Sequence, residues 1–258
     1  MSLSDDAYTR QTLLDIQPLT PSLFTLRCTR DAGFRFRAGQ FVRLGVPGPD
    51  GELIWRPYSV VSAPHDDGLE FFSIVVPGGA FTSQLSRLKV GDTLLVEKRA
   101  TGFLTLDRFA DGEDLWLLGS GTGVAPFLSM LQDFEPWQRF ARIVLVYSAR
   151  NQAELAYQSL IHSLREAEHL AEYAHKFTYL PVVTREQAPG CLNARITTLI
   201  EDGRLEQAAG VSLDPARSRV MICGNPQMVD DLRALLKTRG MHLALTRRPG
   251  QIAVENYW

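Results

Sequence analysis

The stretch LIWRPYSVVSAP, residues 53–64, places a cation, an aromatic ring and a hydroxyl where the pattern predicts the end of a β-strand. These groups belong to Arg56, Tyr58 and Ser59, and Pro57 stiffens the backbone between them. A bare strand would alternate apolar and polar residues. The combination can bind a phosphate and a flat ring system at the same time. An ordinary strand end has the same residues, so the rest of the chain must decide.

The clearest glycine-rich segment is LLGSGTGVAPF, residues 117–127, between a predicted strand and a predicted helix. Glycine lets the backbone turn tightly and approach a ligand, and the start of a helix offers free amide donors to an anion. Gly121 and Gly123 therefore predict a diphosphate cradle, although a glycine turn needed only for packing has the same pattern. The segment is not a P-loop, because no Gly-Lys-Ser/Thr follows.

The next strand, RIVLVYSA, runs into Arg150. The usual NAD-binding pattern has an acidic residue at this strand end, which bonds the ribose hydroxyls. An arginine instead favours a 2′-phosphate, because its planar fork of donors matches the phosphate oxygens. Arg185 and Arg195 follow near a strand end or a helix start. Each alone is typical of a solvated surface residue, but the set of three favours NADP over NAD.

The segment MICGNPQMV, residues 221–229, is another strand–turn–helix junction. Cys223 ends the apolar strand, where its thiol can face a cleft, although most buried free cysteines are small inert core residues. Asn225 and Pro226 fit the start of a helix, with proline in its first turn.

In the first half, VVPGGAFTSQL has the same arrangement, with glycines directly before a predicted helix. Gly78 and Gly79 precede a short helix predicted to start near Thr82, whose amides and hydroxyl can bind a second diphosphate. A simple capped helix is the alternative. With Arg56 nearby, a second dinucleotide site is the interpretation we adopt.

These motifs require two kinds of architecture. Short strands rich in β-branched and aromatic residues, separated by Gly and Pro turns, fill the first hundred or so residues and predict a closed antiparallel barrel. From about residue 113, strands alternate with helices, which predicts a doubly wound parallel sheet. One predicted helix covers residues 152–167, with Leu155, Ser159 and Ile161 near its apolar face. The predicted domains are 1–108 and 109–258.

Composition narrows the class of protein. A chain of 258 residues with 45% hydrophobic and 22% charged residues is typical of a globular protein with two modest domains. The net charge of -2 argues against a general nucleic-acid binder. The three cysteines match no metal or iron–sulfur spacing, so we expect no metal site. No signal pattern or membrane-spanning run is seen, and a soluble cytoplasmic protein is the expectation.

Four motifs in order carry a family resemblance. They are RPYS, GTGVAPF, ICGNPQM and a final pair, Tyr257 and Trp258. Terminal aromatic rings can stack on a flat ligand or plug a groove. Together the motifs resemble the bacterial branch of the ferredoxin–NADP reductase family, over nearly the whole chain. The resemblance implies an FAD-binding barrel followed by an NADP-binding α/β domain.

The resemblance also implies the cofactor contacts. The residues it assigns to FAD are Arg56, Pro57, Tyr58, Ser59, Phe72, Ser73, Ile74, Val75, Phe81, Thr82, Ser83, Thr122, Tyr257 and Trp258. The residues it assigns to NADP are Gly121, Gly123, Arg150, Arg185, Arg195, Cys223, Gly224, Asn225 and Met228.

Within these sets, individual roles follow from the same resemblance. Arg56 and residues 81–83 would hold the FAD diphosphate, Tyr58 would stack beside the isoalloxazine, and the Ser59 hydroxyl would reach the reactive nitrogen edge of the flavin. Tyr257 is expected over the flavin and Trp258 near the FAD adenine, so that the nicotinamide must displace Tyr257. Thr122 would lie at the junction of flavin and nucleotide.

The implied activity is electron transfer between NADPH and a ferredoxin or flavodoxin through FAD. Cys223 would lie beside the nicotinamide, and Ser59, Cys223 and Glu255 would shape the hydride contact. The partners are acidic, so the docking face should be basic. The candidates for that face are Arg10, Arg35, Arg37, Arg43 and Lys98. We expect a monomer.

Two other functions are compatible with parts of this pattern. A related flavin reductase or oxygenase reductase would pass electrons to a different partner, although the chain lacks the cysteine cluster of a fused oxygenase reductase. A non-catalytic nucleotide-binding or redox-sensing subunit would carry a damaged site, whereas each motif here is intact. A structural protein would not need two cradles facing one cleft.

Overall fold

The first half of the chain forms a curled antiparallel sheet in a computed structural model that describes residues 5–256. Its strands are β1 (Tyr8–Pro18), β2 (Leu23–Thr29), β3 (Phe41–Pro47), β4 (Leu53–Ser59), β5 (Gly68–Ile74) and β6 (Thr93–Glu97). The sheet order is β4-β3-β6-β1-β2-β5. The two edges meet just beyond β4, where Val60 pairs with Phe71 and the Val61 N–H donates to the Glu70 carbonyl over 2.8 Å. This closure confirms the predicted barrel.

Alternating burial explains why these segments form strands around a core. In β3, Val42, Leu44 and Val46 are buried, and Val42 lies between the less buried Phe41 and Arg43. The inward side chains of the other strands join them in one apolar cluster. A short helix, α1 (Ala80–Leu85), connects β5 to β6 and buries Phe81 and Leu85 against this cluster.

The second half is a five-stranded parallel sheet with helices on both faces. Its strands are β7 (Asp114–Ser120), β8 (Arg142–Ala149), β9 (Phe177–Val183), β10 (Ser218–Gly224) and β11 (Ile252–Asn256), in the order β11-β10-β7-β8-β9. The helices are α2 (Ala125–Leu131), α3 (Glu135–Arg139), α4 (Gln158–Glu166), α5 (Ile196–Glu201), α6 (Arg204–Ala209) and α7 (Pro226–Thr238). The predicted doubly wound sheet is confirmed.

The strands of this sheet are apolar on both faces because each face is covered by helices. Leu115 and Leu117 of β7 join the apolar cluster that includes α2, α3 and α4. Trp116 and Leu118 point to the opposite cluster, which includes α5, α6 and α7. The strand order reverses between β7 and β10, and ligands bind in such sheets at the carboxyl ends of the strands where the order reverses.

The barrel and the parallel sheet share part of their core. Leu23, Val61 and Phe72 of the barrel belong to the same buried cluster as α2. The buried Ser129 hydroxyl donates to the Ser62 carbonyl over 2.8 Å. Gln132, at the C-terminal end of α2, donates from its side-chain amide to the Val61 carbonyl over 2.9 Å. The two halves are therefore held against each other by apolar packing and directed hydrogen bonds.

The predicted helix over residues 152–167 is wrong in its first part. Residues Gln152–Glu154 form one turn of 3-10 helix, and α4 begins only at Gln158. Tyr157, between them, has a left-handed backbone with φ of 59°. The buried face of α4 consists of Ile161 and Leu164, whereas Ser159 is exposed. Side-chain contacts of the interrupted segment, described below, override its helical pattern.

Two other boundaries differ from expectation. The strand expected at SVVSA is instead β4, which ends at Ser59 and includes the RPYS motif. The segment IAVEN, for which no strand was predicted, becomes the edge strand β11, parallel to β10. The predicted domain boundary at residues 108 and 109 lies between β6 and β7 and stays a prediction. Among residues 5–256, no helix is long and apolar enough to cross a bilayer.

Candidate functional site

A cavity of about 220 Å³, the first cavity, opens between the barrel and α1. Its lining residues come from β4, β5, the start of α1 and the glycine loop, namely Arg56, Pro57, Tyr58, Phe72, Ser73, Ile74, Val76, Gly79, Ala80, Phe81, Thr82 and Thr122. Most of this wall is apolar or aromatic, and the cationic Arg56 is exposed to solvent. Such a wall fits a flat aromatic ligand that carries an anionic group.

Tyr58 is an aromatic ring of the first cavity that two contacts hold in place. Its hydroxyl shares a 2.9 Å hydrogen bond with the Ser73 hydroxyl, and its ring lies 5.6 Å from the Phe81 ring, centroid to centroid. Burial raises the pKa of Tyr58 to about 12, so the phenol remains neutral. The strand pairing of β4 and the cross-cavity hydrogen bond together hold this ring in one orientation.

A second cavity, of about 410 Å³, lies at the carboxyl ends of β7, β8 and β10. Its lining residues are Leu23, Ile74, Ser120, Gly121, Thr122, Ser148, Ala149, Arg150, Glu154, Thr184, Arg185, Gly224 and Asn225. Ile74 and Thr122 line both cavities. Ligands in the two cavities would therefore meet at these residues, between the barrel and the parallel sheet.

The glycine loop, residues 121–124, lies where the two cavities meet. Gly121–Val124 is a 3-10 turn that leads directly into α2. A Cβ on Gly123 would lie 2.5 Å from the Gly224 Cα and would overlap the Cys223 carbonyl. The Ser120 hydroxyl accepts a hydrogen bond from the Asn225 N–H over 3.0 Å. Gly123 thus serves close packing of the 3-10 turn against the end of β10, while Gly121 faces the second cavity.

Arg150, directly after β8, is paired with a carboxylate. Its Nε and Nη2 donate to Glu154 over 3.1 Å and 2.7 Å, and its backbone N–H donates to the same carboxylate over 3.1 Å. Arg185 also lines the second cavity and is exposed. Arg195 is exposed at the start of α5 and does not line this cavity. The structure therefore brings two of the three predicted arginines together.

Ser59 and Glu255 form a polar pair across the two halves of the chain. The buried Ser59 hydroxyl donates to Glu255 Oε1 over 3.2 Å. The other carboxylate oxygen lies against Gly102, where an added Cβ would be 3.1 Å away. Burial raises the pKa of Glu255 to about 7, although the hydrogen bond from Ser59 opposes the rise. This carboxyl group can therefore hold a proton close to neutral pH.

Comparison with known proteins decides the family. The chain is 45% identical over 251 residues to ferredoxin–NADP reductase A of Sorangium cellulosum, covering 96% of this chain and 89% of the relative. It is 42% identical over 244 residues to the flavodoxin/ferredoxin–NADP reductase of Escherichia coli K12, covering 94% and 96%. The chain belongs to the ferredoxin–NADP reductase family.

Family models and a solved structure agree with this membership. Residues 20–101 match the oxidoreductase FAD-binding domain and residues 117–234 match the oxidoreductase NAD-binding domain. A ferredoxin NADP+ reductase from Neisseria gonorrhoeae, solved with bound FAD and NADP, superposes with a TM-score of 0.91 at 40% identity. The match covers 98% of this chain and 99% of the gonococcal one.

The residues of this reductase fit both nucleotide cofactors that the family implies. The first cavity has an aromatic wall, the exposed cation Arg56 and, among residues 5–256, no carboxylate paired with that cation. The second cavity has Arg150 and Arg185 beside a glycine loop. At Gly123 even a methyl group would clash with the backbone of β10, so the glycine turn lies in direct contact with the end of β10. Cations and exposed loop amides are the donors a dinucleotide diphosphate requires.

Several expected site residues lie beside the cavities rather than in them. Val75 packs against the barrel core, Ser83 lies inside α1, and Met228 packs half-buried against the α7 side of the sheet. Cys223 is fully buried at the end of β10, opposite Glu255 in the strand pairing. Ser59 contacts Glu255 as described above. Tyr257 and Trp258 lie outside the described residues, and the roles of all these residues stay predictions.

Two of the five predicted docking cations are paired with carboxylates. Arg37 is paired with Asp107 at 2.6 Å, and Arg43 is held by both oxygens of Glu97 at 2.7 Å and 3.0 Å. The remaining candidates, Arg10, Arg35 and Lys98, are exposed. Arg43 thus contributes little net charge to any surface.

Four polar residues of the site were missed by the sequence argument. They are Ser120, Glu154, Glu70 and Tyr157. Ser120 is part of the glycine segment and Glu154 follows Arg150 at a spacing of four, which is a recognisable ion-pair spacing. The Tyr157 hydroxyl donates to Glu70 Oε1 over 2.7 Å, and its ring packs edge-on against Phe72 at 5.4 Å. No local sequence signal indicates that contact.

Proposed function

We propose that this chain transfers electrons between NADPH and a ferredoxin or flavodoxin through bound FAD. The observation that carries the proposal is the meeting of the two cavities at Ile74 and Thr122. One cavity has an aromatic wall and the other has arginines beside a glycine loop, which suits a flavin and a phosphorylated nucleotide in contact. Relatives that are 45% and 42% identical and are named as such reductases support it.

When bound, FAD supplies the exchange between two-electron hydride chemistry and one-electron steps. The protein's task is to hold the nicotinamide against the flavin, which is positioning chemistry. We assign Tyr58 and residues 72–75 to the flavin ring, Arg56 and residues 81–83 to its diphosphate, and Thr122 to the junction. We further assign Tyr257 to the flavin face and Trp258 to the FAD adenine.

For NADP, we assign Arg150, Arg185 and Arg195 to the 2′-phosphate side. The remaining contacts that we propose for this nucleotide come from the two glycine junctions, namely Gly121, Gly123, Cys223, Gly224, Asn225 and Met228. Residues 1–108 would then be the FAD-binding domain and residues 109–258 the NADP-binding domain. The family-model matches at 20–101 and 117–234 fall inside these limits.

Ser59, Cys223 and Glu255 are the residues that we propose to shape the hydride contact. The Ser59 hydroxyl is oriented by its hydrogen bond to Glu255, and that carboxyl group holds a proton up to about pH 7. Cys223 is fully buried on β10 and pairs with Glu255 in the register of β10 and β11. We also propose that the protein acts as a cytoplasmic monomer with an acidic electron carrier as its partner.

An anaerobic titration of the purified protein tests this function. We expect a yellow protein whose visible absorption is bleached efficiently by NADPH and poorly by NADH. A colourless protein that binds no added FAD would overturn the catalytic proposal and favour a non-catalytic nucleotide-binding subunit. A yellow protein that prefers NADH would retain the flavin site and reject the assignment of the three arginines. Reduction of an added ferredoxin or flavodoxin then tests the partner.

A further inference from the structure

The ion pair of Arg150 and Glu154 is unusual for a site that should receive a dianion. Three hydrogen bonds join these residues, and they use the Nε, the Nη2 and the backbone N–H of Arg150. Among the residues that line the second cavity, Glu154 carries the one carboxylate. A 2′-phosphate approaching Arg150 would therefore also approach a negative charge.

The carboxylate is held in place by its own chain segment. The Glu154 backbone carbonyl accepts a hydrogen bond from the Tyr147 hydroxyl over 3.2 Å, and the Glu154 N–H donates to the Asn151 carbonyl over 3.0 Å. Its side chain is 15% exposed, against 46% for the side chain of Arg150. The arginine is thus the more exposed partner, and its Nη1 is the guanidinium nitrogen that Glu154 does not engage.

Glu154 should affect the two nicotinamide nucleotides in opposite directions. Toward NADP, the carboxylate offsets part of the charge of Arg150 and Arg185 and repels a phosphate nearby. Toward NAD, a carboxylate beyond this strand is the acceptor that ribose hydroxyls use. The residue stands four positions after the arginine, so one short segment carries both a phosphate donor and a hydroxyl acceptor.

We propose that Glu154 sets the discrimination between adenine nucleotides with and without a 2′-phosphate. The carboxylate weakens binding of the phosphorylated nucleotide and supports residual binding of the unphosphorylated one. A reductase built this way holds NADP(H) less tightly than its arginines alone would, which favours release of the oxidised nucleotide. This inference rests on the proposed function, because it takes the second cavity as the nucleotide site.

The test is calorimetric titration of the oxidised, FAD-loaded protein with adenosine 2′,5′-bisphosphate and with AMP. Neither probe contains nicotinamide, so binding is measured apart from turnover. In Glu154→Gln, the amide oxygen can still accept a hydrogen bond from Arg150. We expect this variant to bind the bisphosphate about tenfold more tightly, because one nearby negative charge is removed. It should bind AMP several-fold more weakly, because a neutral amide oxygen is a weaker acceptor for ribose hydroxyls than a carboxylate.

Glu186→Gln is the matched control. Its carboxylate accepts from the Gln152 N–H over 2.6 Å, close to the same segment, but it is not among the residues that line the second cavity. The control removes the same charge and should leave both affinities near wild type. Thermal unfolding of each variant shows whether it is folded.

The outcomes separate this inference from the proposed function. If the folded E154Q variant binds both probes as wild type does, or binds both more weakly, the inference is overturned while the nucleotide site stands. If wild type binds neither probe, the proposed function fails and the inference fails with it. If E186Q binds the bisphosphate more tightly by as much as E154Q does, the gain comes from the overall charge and not from Glu154. That result would also overturn the inference.

Discussion

Ser59 and Glu255 are 196 positions apart in the chain, yet one hydrogen bond joins them at the boundary of the two sheets. The contact is possible because Ser59 ends β4 while Glu255 lies on β11, beside the end of β10. Burial of the carboxyl group raises its pKa to about 7. The charge of Glu255 therefore changes as pH passes through about 7.

At this scale we predict a pH-dependent stability effect for Glu255→Gln. The folded-state pKa of about 7 lies above the 4.5 of an ordinary glutamate, so the folded protein retains a proton that the unfolded chain has lost. The protonated Glu255 therefore contributes its full stabilisation below the pKa of the unfolded chain. That contribution is lost as pH rises through the pKa of the folded protein. Between about pH 5 and about pH 8, Tm of the variant should rise relative to wild type.

The measurement is Tm of both proteins across that pH range by circular dichroism. Glu52→Gln is the control, because Glu52 is exposed in a turn of the barrel. Its Tm difference from wild type should stay nearly constant with pH. A Glu255→Gln difference that is equally flat would contradict the assigned pKa.

At the scale of elements, the segment from Arg150 to Tyr157 connects the nucleotide side to the barrel. The Tyr147 hydroxyl donates to the Glu154 carbonyl and accepts from the Ala156 N–H, which fixes the segment against β8. Its far end, Tyr157, adopts the one positive φ of a non-glycine residue among residues 5–256. Such backbone strain persists only where surrounding contacts impose it. Here the contacts are those to Glu70 and Phe72.

The glycine loop allows a matched pair of substitutions. In Gly123→Ala, the new methyl group would meet the Cys223 carbonyl and the Gly224 Cα, so β10 must shift. We expect the free energy of unfolding to fall by about 3 kcal/mol and NADP+ affinity to fall at least about tenfold. In Gly121→Ala, the methyl group meets no atom within 4 Å, and the φ of 53° costs about 1 kcal/mol.

Urea denaturation and NADP+ titration of both variants check this prediction. Both glycines are in the same turn, so a difference between them reports the close packing and not the loop in general. Equal losses of stability in the two variants would show that the contact between the glycine turn and the end of β10 is not the constraint.

At the scale of the whole molecule, one apolar cluster spans both sheets. It includes Leu23 and Phe72 of the barrel together with Leu128 of α2, all fully or nearly fully buried. Hydrogen bonds from Ser129 and Gln132 cross the same boundary. Because neither half can expose this surface without a large loss of apolar burial, the two halves should unfold together.

We therefore predict a single unfolding transition for the FAD-loaded protein. Scanning calorimetry should give one endotherm whose calorimetric and van't Hoff enthalpies agree. Leu128→Ala should lower the free energy of unfolding by roughly 2–5 kcal/mol and leave the transition single. Phe103→Ala is the control, because Phe103 is 71% exposed and its removal creates no cavity in the core. Two resolved endotherms in wild type would contradict the prediction.

The sequence predicted those parts of the site that depend on neighbours in the chain. Asn225 caps α7 as expected, with its side-chain oxygen accepting from the Met228 N–H, and the bounds of β8 match the predicted strand RIVLVYSA. It did not predict the interruption before α4, since Tyr157 is placed by contacts with the distant β5. It also missed the Arg150–Glu154 pair, although ion pairs form at a spacing of four, because the predicted helix begins at residue 152 and leaves Arg150 outside it.

By itself, then, the sequence determined the two sheets, the glycine loop and the family, because periodicity, turn residues and motif order are local properties of the chain. The tertiary structure alone decided that Ser59 meets Glu255, that the two cavities join at Ile74 and Thr122, and that Tyr157 contacts Glu70. Contacts between distant segments depend on strand order and on packing between the halves. No period or spacing in a single chain records those distances.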